Sequence, residues 1–184
     1  MYKINKKKYL LYCSLGLFYI TLPILALLDL RTLGNGFNFF QPDNRYGLVF
    51  SLIVIGSMWI NDTMAYVVGS LIGKTPFSKI SPKKTWEGTI GGVILCIVVV
   101  GLVASFATKE LFYIKNYHWF IIAGISAVAG TIGDLLESKL KRMANVKDSG
   151  SIMPGHGGFL DRFDSLLVTA PLVWFYVKLF IGVI

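Results

Sequence analysis

Two pairs of carboxylates share one spacing. Asp134 and Glu137 stand three residues apart, and Asp161 and Asp164 repeat the interval. Residues three apart share a helix face, so each pair sets two oxygen-rich groups side by side. Facing each other, the pairs would make a nest of hard oxygen donors. Such a nest suits Mg²⁺, which takes few carboxylates and keeps water or phosphate ligands. Without a cation between them, four such charges near one membrane face repel strongly. The same spacing also serves helix capping and salt bridges to Lys139, Arg142 and Arg162, and the residues alone leave both roles open.

Between and around the pairs runs KRMANVKDSGSIMPGHGGFLDRFDS, residues 141–165. Gly155, Gly157 and Gly158 permit positive φ and close approach of backbone to a ligand. Basic side chains and open backbone N–H groups are what phosphate oxygens need. His156 offers a general base, a phosphate donor or a structural group. A second basic stretch, GKTPFSKISPKKTWEG at 73–88, places Lys83, Lys84 and Thr85 after a Ser81-Pro82 break and just before a helix expected to start near Trp86. A helix N-terminus favours anions. Upstream, Asp62 and Tyr66 lie four apart on one helix face, where Asp62 suits an ion, a base role or a pairing with a loop Lys. The plain alternative for both basic segments is a solvated loop at a lipid headgroup surface.

The elements that must position these groups are apolar. The chain is 54% hydrophobic and 15% charged, against about a quarter charged in soluble domains. Five runs are long enough to cross the hydrocarbon core as helices: roughly 9–28, 46–65 (extending as helix toward Gly73), 88–106, 117–136 and 165–184. The first follows a basic stretch like a signal peptide, but it is longer than a usual signal core and shows no clear cleavage site. Cys13 and Cys96 both sit in apolar runs and read as packing residues. The expected fold is all-α: one polytopic membrane domain of about five transmembrane helices, with active-site loops facing the cytoplasm.

The formal net charge is +8. With no soluble basic domain to carry it, nucleic-acid binding is excluded and topology explains most of it. Placing the N-terminus inside and the C-terminus outside gathers most Lys and Arg on the cytoplasmic side. Most of the acids gather there too, which charge sorting does not require. Acids at membrane helix ends usually have a partner, a cavity or an ion. Together the residues describe a cytoplasm-facing site for phosphoryl or nucleotidyl transfer to a lipid, where positioning and charge neutralisation supply most of the catalysis.

Four blocks then resemble one family in order. They are WINDTMAY at 59–66, SPKKTWEG at 81–88, GDLLES at 133–138, and the signature SKLKR–KD–HGGFLDRFD from Ser138 to Asp164. The chain resembles the phosphatidate cytidylyltransferases, or CDP-diacylglycerol synthases, over about 46–184. The shorter stretch 1–45 replaces the additional helices usual in that family, so a minimal active form, a fragment and a diverged copy are all open.

The resemblance implies that CMP passes from CTP to phosphatidic acid, giving CDP-diacylglycerol and pyrophosphate for phospholipid biosynthesis. It implies Mg²⁺, with a second cation as an option. Asp134 and Asp161 become the foremost metal ligands, with Asp164, Glu137 and Asp62 behind them. Asp134, Asp161, Lys147, Asp148 and His156 are the catalytic candidates. Ser81, Lys83, Lys84, Thr85, Lys139, Lys141, Arg142, Gly157, Gly158 and Arg162 are the substrate-binding candidates. The expected partners are CTP, phosphatidic acid and membrane lipids, with a homodimer open, and the expected location is a bacterial inner membrane. Two other readings remain: a CTP-dependent transferase acting on another lipid phosphate, and a non-catalytic short homologue. A transporter fits poorly, because its carboxylates belong near mid-membrane.

Overall fold

The structure is a computed structural model and describes residues 6–33, 45–78, 80–81, 83–109, 114–146, 148–150, 158 and 160–181. Among them are five long helices: α1 (Lys6–Arg31), α2 (Arg45–Ile72), α3 (Trp86–Thr108), α4 (Tyr117–Met143) and α5 (Leu160–Tyr176). A π-helical turn, Val177–Ile181, extends α5. With that turn, all five are long and apolar enough to cross a membrane, as expected for an integral membrane protein. Backbone polar groups have no water partner in lipid, so a helix that bonds its own N–H and C=O groups is the form open to such sequences.

The helices outrun the apolar runs. α2 continues to Ile72, which carries Asp62 and Tyr66 on the helix body. α4 continues to Met143, so Ser138 to Arg142 form its last turns rather than a loop. α5 begins at Leu160, which puts Asp161 and Asp164 in its first turns. Hydropathy marks where a helix must be apolar, whereas these polar turns emerge from the hydrocarbon and are held by neighbouring helices.

Close packing between α2 and α3 rests on small residues. A Cβ added at Gly92 would fall 2.7 Å from the Ala65 Cβ and 2.8 Å from its backbone nitrogen, and one at Gly88 would fall 2.8 Å from the Gly69 Cα. Such small residues every fourth position let membrane helices approach closely. Gly92→Leu is therefore expected to lower the melting temperature of the detergent-solubilised protein by roughly 3–10 °C, from an overpacking cost of about 1–3 kcal/mol. Gly56→Ala, where an added Cβ meets nothing within 4 Å, is the control. Equal melting temperatures for the two variants would refute the seam.

The apolar core lies where α2, α4 and α5 meet, with the Phe50 and Trp119 rings 5.3 Å apart and tilted by 41°, and Leu166, Ala170 and Val173 beside them. α1 packs chiefly on α5 and α2. At one end of the bundle, Asp29 accepts hydrogen bonds from Trp174 Nε1 at 2.6 Å, and Lys178 lies 2.9 Å from it. His118 pairs there with the Tyr176 hydroxyl at 2.8 Å. Alternating helix direction puts the C-terminal ends of α2 and α4 and the N-terminal ends of α3 and α5 at the opposite end.

Candidate active site

That opposite end is where the charged side chains meet. The link from α2 to α3 folds back on itself. Phe77 N donates to Lys84 O at 2.7 Å, and Trp86 N donates to Thr75 O at 3.0 Å. The Phe77 and Trp86 rings meet edge to face at 4.4 Å. Glu87, in the first turn of α3, accepts from Lys74 N and Thr75 N at 3.2 Å. Thr85 caps α3 and accepts from Gly88 N at 3.2 Å. These bonds fix the backbone next to Lys83 and Lys84, so both ammonium groups start from a rigid base.

On the far wall, α4 and α5 touch backbone to backbone. A Cβ at Gly133 would stand 2.7 Å from Asp164 O and 3.0 Å from Ser165 Cα. This contact sets Asp134 beside Asp164. Lys84 crosses the gap and pairs with Asp134. Asp62 of α2 lies within electrostatic reach of Lys84 and Asp134.

The result is a cavity of about 520 Å³ lined by Asp62, Tyr66, Ser81, Lys83, Lys84, Thr85, Asp134, Asp161 and Asp164. Asn61, Ser70, Thr89, Thr131 and Ser165 complete its polar lining. A space of this size, with a few convergent polar groups, is typical of a small-molecule site.

Asp161 serves a second purpose. Its Oδ1 accepts from Lys141 Nζ at 2.6 Å. Its Oδ2 accepts from Gly158 N at 2.7 Å, Ser149 Oγ at 2.8 Å and Ser149 N at 2.9 Å. Both oxygens are thus engaged by protein, and the carboxylate pins residues 149 and 158 to the start of α5. Lys141 also lies 2.6 Å from Glu137 Oε2. Glu137 is only 1% exposed and lies behind the cavity wall rather than on it.

The four carboxylates do come to one end of the bundle, but not as one nest. Among the described residues, no three His, Cys, Asp or Glu side chains are gathered closely enough to hold a metal on their own. The repulsion expected of four such charges is relieved by Lys84 and Lys141. Among the described residues, those two, rather than Lys139 or Arg142, make ion pairs to the acids of this site.

Of the remaining sequence candidates, Lys139, Arg142, Asp148 and Arg162 are exposed and away from the cavity lining. Lys147, His156 and Gly157 lie outside the described residues. The sequence reading passed over Asn61, Thr131 and Glu87. Asn61 is 3% exposed, donates to Thr131 Oγ1 at 3.4 Å, and has no partner for its Oδ1. The signal was available, since an amide next to a carboxylate within an apolar span is costly unless used.

The donor set fits a magnesium ion. Asp134 and Asp164 are neighbouring hard oxygens on a shared cavity wall, and Mg²⁺ is commonly held by one or two carboxylates plus substrate phosphates. Fewer than three gathered acids is therefore compatible with that ion.

Comparison with known proteins places the chain in a family. The cytidylyltransferase family model matches residues 2–180. Phosphatidate cytidylyltransferase of Rickettsia bellii is 36% identical over 179 residues, covering 94% of this chain and 71% of that protein. The Bacillus subtilis protein of the same name is 41% identical over 138 residues, covering 74% of this chain and 50% of its own length. The chloroplastic phosphatidate cytidylyltransferase 4 of Arabidopsis thaliana is 44% identical over 133 residues, covering 72% of this chain and 33% of its own. The chain thus spans between one third and about seven tenths of these relatives. On the match across nearly its whole length, the chain belongs to the cytidylyltransferase family.

Proposed function

We propose that this protein transfers CMP from CTP to phosphatidic acid, giving CDP-diacylglycerol and pyrophosphate. The observation that carries the reading is one cavity, at the end of a membrane bundle, lined by two lysines, a helix-capping threonine and four carboxylates. An oxygen of the lipid phosphate attacks the α-phosphorus of CTP, and the bond from that phosphorus to the β-bridging oxygen breaks. The electron pair leaves with pyrophosphate. The attacking group is already an anion, so no side chain has to remove a proton.

The side chains position and neutralise. Lys83 and Lys84 take phosphate oxygens, with Lys84 leaving Asp134 to do so. Thr85 and the N-terminus of α3 stand beside them, where the helix end favours anions. Asp134 and Asp164, with Asp62 near, would hold Mg²⁺. That ion supplies charge neutralisation of the transferring and leaving phosphates. Asp161 and Lys141 hold the wall in place.

The N-terminus is assigned to the cytoplasm of a bacterial inner membrane, with the cavity opening on that side. The Lys-rich flanks at the cavity end support this side.

The test is product formation from labelled CTP and phosphatidic acid in sealed vesicles of inward and outward orientation, with Mg²⁺ or EDTA. Mg²⁺-dependent CDP-diacylglycerol is expected only where CTP reaches the cavity end. Well-folded protein without product would refute the reading.

Lys83→Ala and Lys84→Ala are each expected to raise KM about 10–100-fold for a phosphate-bearing substrate, the worth of one charge-assisted hydrogen bond. Unchanged kinetics in both would leave the basic loop a topological signal alone.

A further inference from the structure

Glu87 stands outside the cavity lining, yet it bonds the segment that leads into it. It lies in the first turn of α3, where a carboxylate ordinarily serves the open N–H groups of its own helix. Thr85 already fills that role. It accepts from Gly88 N through its hydroxyl and from Thr89 N at 2.9 Å through its carbonyl. Glu87 instead reaches back 12 and 13 residues in sequence. Its Oε1 accepts from Thr75 N, and its Oε2 accepts from both Lys74 N and Thr75 N, each at 3.2 Å.

What these bonds hold is a two-stranded clasp. Pro76 and Thr85 form an antiparallel bridge. Thr75 O accepts from Trp86 N on one side of it, and Phe77 N donates to Lys84 O on the other. Lys84 N donates in turn to Ser81 O at 3.1 Å. The backbone of Lys84 is therefore bonded at both its N–H and its carbonyl, and the strand that holds the carbonyl is the one Glu87 anchors. Gly73 closes the back of the clasp, since a Cβ added there would lie 2.6 Å from Thr85 Oγ1. Ser81, Lys83, Lys84 and Thr85 all line the cavity. A lysine side chain loses much rotamer freedom when it binds, so where its backbone is fixed decides how readily its ammonium meets a phosphate.

We propose that Glu87 is a positioning residue for phosphate binding. It touches no substrate, and it acts by holding residues 74–77 so that Lys83 and Lys84 point into the cavity. This rests on the proposed reaction for its ligands, the phosphates of CTP and of phosphatidic acid. Charge alone predicts the opposite sign. Removing a carboxylate near an anion site strengthens anion binding, so a loss of affinity on removing Glu87 has the clasp as its cause.

The experiment uses the full chain in detergent micelles. Calorimetric titrations with CTP, and separately with dioctanoyl phosphatidic acid, compare wild type, Glu87→Ala, Glu87→Gln and Asp29→Asn. Glu87→Ala is expected to raise Kd about tenfold for at least one ligand, as for one charge-assisted hydrogen bond. Glu87→Gln, which keeps one carbonyl oxygen for the two N–H groups, should raise it about threefold. Turnover at saturating substrate should stay within about threefold of wild type, so the loss falls on KM rather than kcat. Amide hydrogen exchange over residues 74–86 should quicken about tenfold in Glu87→Ala. Asp29→Asn weakens the contacts to Trp174 and Lys178 at the other end of the bundle. It should lower stability and leave both Kd values unchanged.

Unchanged or tighter binding of both ligands by Glu87→Ala would overturn the proposal, and so would unaltered exchange over residues 74–86. Equal weakening in Asp29→Asn would overturn it too, since the effect would then be a general loss of stability. Wild-type protein that binds neither ligand would refute the phosphate site itself. Glu87-dependent binding in protein that makes no CDP-diacylglycerol would uphold the clasp and refute the reaction.

Discussion

Asp134→Asn is expected to cut turnover on the order of a thousandfold or more while the protein still inserts and folds. Asp134 sits on the cavity wall between Lys84 and Asp164. Coordination of a transferring phosphoryl group is worth several kcal/mol, and each 1.36 kcal/mol is tenfold in rate. Asparagine keeps the shape and a hydrogen-bonding oxygen but removes the charge. The loss should therefore appear in kcat, with a weaker response to added Mg²⁺ and a melting temperature within a few degrees of wild type. Steady-state kinetics across a Mg²⁺ titration read both. Turnover within tenfold of wild type would remove Asp134 from the reacting centre.

Lys141→Met is expected to be the most damaging change to stability, lowering the melting temperature by roughly 6–12 °C. The ammonium stands 2.6 Å from Glu137 and 2.6 Å from Asp161. Glu137 is almost wholly buried, so deleting its cation leaves an uncompensated charge, which costs about 3 kcal/mol or more. Asp161 also loses its contact to α4 and holds residues 149 and 158 less firmly. Glu137→Gln alone should cost less, because Lys141 keeps Asp161. The double variant should recover part of the loss of Lys141→Met, since no buried charge is then left alone. Thermal unfolding of the four proteins forms the cycle. Additive losses would show that the three groups do not act together.

The chemistry of the site was legible because its residues announce themselves. Carboxylates at i, i+3, paired lysines before a helix start and an Asp within an apolar run are anomalies in a membrane sequence, and each has few uses. The helix start at Trp86 followed from the same local rules. Asn61 and Glu87 were less visible. Their roles depend on partners distant in sequence or on the path of a loop, and a single polar residue carries no spacing to read.

The sequence by itself determined five helices, their order, and the end of the bundle at which charge collects. Those follow from the cost of placing backbone and charge in hydrocarbon, which acts on each segment separately. Only the tertiary structure decided which acids face the cavity. Asp62, Asp134, Asp161 and Asp164 line it, Asp161 with both oxygens engaged by protein partners, whereas Glu137 turns behind the wall. That choice depends on helix rotation and on close contacts at Gly88, Gly92 and Gly133. Helix periodicity places side chains on a common face, but the packing of neighbouring backbones decides what that face meets.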